Sequence, residues 1–269
     1  MKIKILMENN SVNEGFACGH GLCIYVETGK HKVLMDAGPD WRFADNAEKM
    51  GVDLADIDTV VLSHGHYDHA GGLTRFMNMN EKAIIYAAGG YGLPHYDERG
   101  AYIGVEPALI DHPRIRTLEG DLKIDEEIQI LSFKEKKLTE DINTNGMTEG
   151  RVDAFRKVSI YPERFEHEHY LLADDGKSRI LLSGCSHRGI VNIANWALEY
   201  KPDAVMGGFH LMGVQPENYS VLDHVAGELL KLPLNYYTGH CTGMAQYEYM
   251  KKLMGDRLNY AAAGAEFEF

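Results

Sequence analysis

His64-Gly65-His66-Tyr67-Asp68-His69 is the stretch on which the fold is decided. It packs three histidines and an aspartate into six residues of a chain that holds 13 histidines in all. The apolar run Thr59-Val60-Val61-Leu62 leads into it and reads as a strand covered on both faces. Side chains at i and i+2 leaving a strand project to the same side, so His64 and His66 can grip one cation. The chain then turns and offers Asp68 and His69 to a second ion. Imidazole suits zinc and other borderline divalent metals, while the carboxylate widens the choice to iron or manganese. A helix N-terminus capped by Asp68 would explain the aspartate, but not the density of histidine.

The same pattern recurs downstream. Arg179-Ile180-Leu181-Leu182 runs into Ser183-Gly184-Cys185-Ser186-His187, and Asp203-Ala204-Val205-Met206 runs into Gly207-Gly208-Phe209-His210. Leu234-Asn235-Tyr236-Tyr237 runs into Thr238-Gly239-His240-Cys241. Each is an apolar strand, then small residues, then a histidine. Ligand sites in α/β sheets form where the carboxyl ends of strands meet, so these positions point to one shared site.

Around these strands, Lys2 to Met7 reads as another strand, and Leu22 to Glu27 with Lys32 to Met35 as a hairpin joined by Thr28-Gly29-Lys30. Trp41 to Met50 and Leu73 to Met79 read as helices. The stretches 89–113 and 143–150 are irregular, and connections of that length in a compact domain are often lids or binding loops. With no linker or low-complexity tract, the expectation is a single domain over residues 1–269.

Composition sets outer limits. The 269 residues are 45% apolar and 25% charged, ordinary values for a globular protein able to bury a sizeable core. A formal charge of −13 disfavours nucleic acid or an anionic membrane as partner. A small-molecule substrate is the expectation, with homo-oligomerisation left open. The cysteines, Cys18, Cys23, Cys185 and Cys241, form no CxxC pair and are too few for a disulfide scaffold. No apolar run has signal-peptide or membrane-spanning character, so the expected setting is cytoplasmic with reduced thiols.

The segment Leu62-Ser63-His64-Gly65-His66-Tyr67-Asp68-His69-Ala70-Gly71-Gly72-Leu73 resembles the signature of the metallo-β-lactamase superfamily. Leu34-Met35-Asp36-Ala37-Gly38 is similar to that superfamily's first motif. Ser183 to Asn192, Gly207-Gly208-Phe209-His210-Leu211 and His240-Cys241-Thr242-Gly243 resemble the dihydropterin-type branch, whose namesake is an archaeal (ribofuranosyl)aminobenzene phosphate synthase. The resemblance implies an α/β fold, a four-layer αββα sandwich with two divalent metal ions, most often zinc, at the edge of the two sheets.

Carried over by position, the resemblance makes Asp36 a group that orients a ligand histidine, and His240 the last ligand of the second ion beside Asp68 and His69. Cys185 stands where many members carry a bridging aspartate. Either its thiolate takes that role, or His187 supplies a ligand to the first ion; His187 is preferred because a neutral imidazole completes a trio with His64 and His66. His167 and His169 lie near the superfamily's third-motif histidine, although a polar strand edge explains Glu166-His167-Glu168-His169 equally well. His210, in a glycine-rich setting, is assigned to substrate binding or catalysis, Asp68 to catalysis as well as ligation, and His20 and Arg188 to substrate contact. Arg151 is a further candidate for an anionic substrate. Cys241 is expected to be a buried structural thiol.

The activity this implies is hydrolysis of a small anionic or phosphate-bearing substrate by a metal-bound hydroxide. A dihydropterin-type transferase that displaces diphosphate is the alternative, and a metal-binding sensor without turnover is a third reading.

Overall fold

The computed structural model describes residues 1–142, 144–153 and 157–269. Two seven-stranded sheets form its centre. The first runs, in spatial order, Glu266–Glu268, Lys2–Met7, Cys23–Glu27, Lys32–Met35, Thr59–Val61, Ile84–Ala88 and Ile115–Leu118. The second runs Leu258–Tyr260, Asn235–Thr238, Ala204–Met206, Arg179–Leu182, His169–Asp174, Ile128–Ser132 and Leu122–Lys123.

Period-2 alternation decides which side chains meet between the sheets. Ile3, Ile5, Ile24, Val26, Val33, Met35 and Val61 of the first sheet pack with Ile128, Ile130, Leu171, Ala173, Ile180, Leu182 and Met206 of the second. Each such side chain removed from water contributes about 1.5–3 kcal/mol. The outer face of the first sheet is covered by the helices Arg42–Lys49 and Leu73–Met79, through Phe43, Ala47, Leu73 and Phe76. The second is covered by Ile190–Ala197, Ser220–Leu230 and Met244–Met254. The result is the four-layer αββα sandwich. Val60 faces the helical layer and Val61 the inter-sheet core, which is why this strand is apolar on both faces.

Three of the strands that lead to a histidine, Arg179–Leu182, Ala204–Met206 and Asn235–Thr238, are parallel neighbours in register. Thr59–Val61 comes from the opposite sheet, so four carboxyl ends open at one edge. The two sheets nearly touch there. A Cβ on Gly184 would stand 2.1 Å from Ser63 Oγ, so only glycine fits.

The loop regions differ in part from the expectation. Residue 143 lies outside the described residues. Thr148–Val152 is not irregular but the middle strand of a three-stranded sheet, between Val158–Pro162 and His95–Tyr96. Its glycine-rich approach hides the strand, and its partners are short or distant in sequence. The stretch 89–113 folds over the His64 to His69 turn, with Tyr67 N–H donating to Ile103 C=O at 2.8 Å and His66 bridged to Gly104. No helix among the described residues is long and apolar enough to cross a membrane.

Candidate metal centre

The strand ends deliver one tight cluster of donors. His64, His66, His69, His187 and His240 are at most 4% exposed, and Asp68 is 6% exposed. Asp68, His69, Cys185 and His240 bring one donor atom each within 4.8 Å of one another, and so do His64, Cys185 and His187. Cys185 therefore belongs to both groups. The sequence posed thiolate and His187 as alternatives; the structure places both at the centre.

Hydrogen bonds fix which nitrogens are free. Asp36 is fully buried, and its Oδ2 accepts from His69 Nδ1 at 2.6 Å, leaving His69 Nε2 with its lone pair. Asp36 also accepts from Ser63 N–H and Ser63 Oγ–H, each at 2.7 Å. Ser63 Oγ lies 2.8 Å from His64 Nδ1 and can accept its proton, leaving Nε2 of His64 bare. Asn9 Oδ1 accepts from His240 Nδ1 at 2.8 Å, so His240 Nε2 is bare too. One buried carboxylate and two neutral acceptors thus aim three lone pairs inward, the arrangement that metal-bound imidazoles require.

The second group has the dimensions of a cation site. His69 Nε2 is 3.1 Å from Cys185 Sγ, 3.2 Å from His240 Nε2 and 3.7 Å from Asp68 Oδ2. His240 Nε2 is 3.3 Å from Asp68 Oδ2. Ligands around a tetrahedral ion with bonds of about 2.0–2.3 Å stand roughly 3.3–3.8 Å apart. Facing lone pairs at these separations repel unless a proton or a cation lies among them. In the first group, Nε2 of His64 and both ring nitrogens of His187 are buried without a partner among the described residues. Such orphans are costly in a dry site, and a metal ion would satisfy them. The His64, His66 and His187 rings lie 4.5 to 5.0 Å apart by centroid, so His66 borders this group.

Electrostatics follow the same logic. Burial opposes ionisation of Asp68, but His69, His240 and His20 outweigh it and hold the carboxyl well below its usual range. Burial, then neighbouring imidazoles, pushes His64, His66 and His187 down, keeping them neutral as ligands must be. Burial and then the adjacent Cys241 thiol push Cys185 up, so its thiolate form calls for a positive partner.

The backbone is bent to serve this edge. Asp36, Ser186, His210 and His240 hold φ of 61°, 57°, 54° and 49°, a left-handed region that non-glycine residues rarely occupy. Strain of this kind clusters where surrounding structure over-determines it.

The remaining candidates separate. His20 reaches Asp68 Oδ2 at 3.3 Å and is half-exposed beside it. His210 holds its ring tilted against that of His187, 4.2 Å away by centroid, and burial followed by His240 pushes its pKa down to about 4. Both line the cleft of about 450 Å³ that contains Asp68, Cys185, His187 and His240. A neighbouring cavity of about 320 Å³ shares His187 and His210 and is floored by Phe209, Leu211 and Val225.

Arg188 is not part of either. It is buried, donates to Arg164 C=O at 3.0 Å and lies over the Phe133 ring. Arg151 is tied to Glu149 and Tyr161. Cys241 is buried against the Cys185 carbonyl. His167, Glu168 and His169 are all buried rather than alternating, because Phe165 turns the chain at φ 52° before the strand begins at His169. Glu168 accepts from the backbone of His187 and Arg188 and so shapes the turn that presents His187. Glu8, whose carboxylate accepts from His240 N–H, carries no motif of its own, and neither do Asn9 or the buried pair His95 and Glu163; only the histidine content of the 89–113 stretch hinted at His95.

A four-layer αββα sandwich with a dense His/Asp/Cys edge defines a class of protein whose sheet edge is suited to metal ions. The chain belongs to the metallo-beta-lactamase superfamily, whose sequence profile matches residues 17–186. It is 26% identical over 249 residues to an uncharacterized protein of Methanocaldococcus jannaschii, covering 90% of each chain. It is 27% identical over an alignment of 285 positions to the 7,8-dihydropterin-6-methyl-4-(beta-D-ribofuranosyl)-aminobenzene-5'-phosphate synthase of the same organism, covering 95% of this chain and 92% of that one. The crystal structure of Tm1679, a metal-dependent hydrolase of the beta-lactamase superfamily, superposes with a TM-score of 0.81 at 24% identity, covering 100% and 99% of the two chains. That likeness attests the fold.

Proposed function

We propose that the chain is a two-metal enzyme that hydrolyses a small anionic or phosphate-bearing substrate. The observation that carries this reading is the pair of donor groups sharing Cys185, one of them with the spacing of a tetrahedral cation site. His64, His66, His187 and Cys185 would hold one ion; Asp68, His69, His240 and Cys185 the other. Two divalent ions, zinc by donor chemistry and iron or manganese as the alternatives, would lower the pKa of a bound water and clamp oxygens that gain charge.

The chain's own side chains then have defined tasks. Asp36 and Asn9 orient ligand imidazoles. Asp68, kept ionised by His69, His240 and His20, would accept a hydrogen bond near the reacting atoms as well as hold the second ion. Asn145 Nδ2–H donates to His210 Nδ1 at 3.0 Å, so a neutral His210 presents Nε2–H towards a substrate oxygen. With two divalent ions held there, this edge would be positive although the chain as a whole is acidic.

The test is turnover of phosphodiester, phosphomonoester, thioester and lactone substrates by metal-loaded protein. Hydrolysis that His66→Ala abolishes supports the reading. A second reading is a transferase, favoured by the 27% identity to the synthase across 95% of this chain. Its mark is diphosphate release only when a pterin diphosphate and an arylamine acceptor are both present, with no ester cleaved. Bound metal with neither reaction would leave a sensor.

A further inference from the structure

The cavity beside the metal cleft has no part in the hydrolysis itself. It measures about 320 Å³ and meets the cleft at His187 and His210, so it opens onto the first donor group. Protein interiors pack closely and leave few voids larger than a water molecule. This one stays open although Ile190, Val191, Phe209 and Val225 around it are buried apolar side chains. An apolar cavity of about 150 Å³, less than half as large, stays dry and takes up benzene. One wall is held in place by a single side chain. Asn192, 2% exposed on the helix Ile190–Ala197, accepts through Oδ1 from Thr139 N–H and Thr139 Oγ1–H at 2.8 Å each and from Glu140 N–H at 2.9 Å. Its Nδ2 donates to Glu140 C=O at 3.0 Å and to Arg188 C=O at 2.8 Å. With its amide fully engaged, Asn192 pins residues 139–140 to the helix, and this wall is set before a ligand arrives.

Charge divides the site in two. The metal end would draw an anionic group, whereas the cavity carries Glu140 and Asp141, and no lysine or arginine is among the described residues that line it. His224 lies 2.7 Å from Glu140, but Asp141 leaves this side acidic. We propose that the cavity receives the uncharged, apolar part of the substrate, a group up to the size of a naphthyl ring, while a single anionic group sits at the metal edge. A second anionic group on the far side of that ring would meet Glu140 and Asp141 and be rejected. His210 stands at the boundary between the two parts, where the bond to be cleaved would lie.

This subsite rests on the reading of an anionic substrate at a metal centre, and its test keeps the two apart. Binding of methyl-, benzyl- and naphthylmethylphosphonate to zinc-loaded protein is measured by calorimetry. A naphthyl analogue with a carboxylate on its far ring is the charged control. The variants are Val221→Trp, at an exposed position of the lining, and Val225→Phe, inside the cavity. The expected affinity rises by at least about tenfold from methyl to naphthylmethyl. The carboxylate abolishes that gain, and both variants shrink it by a similar factor. Val221→Trp decides the matter if Val225→Phe does not fold. Equal affinity for the three compounds, or a gain untouched by the variants, overturns the subsite while the metal edge stands. A carboxylated ring bound as tightly as the plain one overturns it too. Zinc-loaded protein that binds none of the phosphonates overturns the anionic-substrate reading, and protein that takes up no zinc overturns the metal centre.

Discussion

Cys185 Sγ lies 3.1 Å from His69 Nε2, while the same cysteine is grouped with His64 and His187 on its other side. One thiol is thus common to two donor groups, each of which joins residues of the first sheet's turn to a histidine of the second sheet. A ligand shared between two ions cannot be removed without disturbing both.

Cys185→Ala is therefore expected to weaken both bound ions by more than the ten- to hundredfold typical of an outer hydrogen-bonding partner. Cys185→Asp, which keeps an anionic donor, should retain both. Metal content after dialysis, measured by elemental analysis, checks this. Loss of a single ion in the alanine variant would show that Cys185 serves one group only.

Asp36 reaches the centre without touching it. Its carboxylate accepts from His69 directly and lies behind His64 through Ser63. Asp36→Asn turns one acceptor oxygen into a donor facing other donors. The expected cost is about 1.5–3 kcal/mol in the urea unfolding of metal-free protein, and a tenfold or greater loss of zinc affinity. A variant with unchanged affinity would remove Asp36 from the orienting role.

Much of this site was legible in the sequence because its residues sit at fixed offsets from apolar strands. Thr59–Val61, Arg179–Leu182, Ala204–Met206 and Asn235–Thr238 each announce a carboxyl end, and period-2 alternation places the donor. What stayed hidden depends on long-range approach. Asn9 meets His240 across 231 positions of chain, and His95 meets Glu163 across 68. Nothing local marks either pair. Arg188, a candidate for an anionic substrate in the sequence, is the converse case: it follows His187 directly, yet the turn held by Glu168 sends its guanidinium over Phe133. The strand Thr148–Val152 escaped because its pairing partners supply the order that its own residues do not.

Away from the metal edge, His31 offers a pH test. Burial lowers its pKa, but hydrogen bonds to Asp58 at 3.0 Å and Asp125 at 3.1 Å outweigh that and raise it. Lys30 also faces Asp125, at 3.8 Å, and shares its charge. A raised folded-state pKa means stability fully present below the ordinary value of about 6.5 and lost as pH rises through the folded value. His31→Gln should then destabilise the protein more at pH 5.5 than at pH 9. The difference should stay below about 1 kcal/mol, since the partners are partly exposed. Urea midpoints at the two pH values decide it, and an equal loss at both would leave only a neutral hydrogen bond.

Metal removal is the broadest test, because the centre joins both sheets. Ions that bind only the folded chain stabilise it by about 4 kcal/mol at a thousandfold excess over Kd. In a chain of this size that corresponds to a rise in melting temperature of roughly 8–16 °C. Chelated protein should melt lower by that order and recover on adding zinc. The His64, His187 and His240 donors come from separate strand ends, so the recovery should be only partial in His240→Ala, where the first ion alone still binds. A melting temperature indifferent to chelator and zinc alike would mean that the converging lone pairs are held apart by the fold without help from a cation.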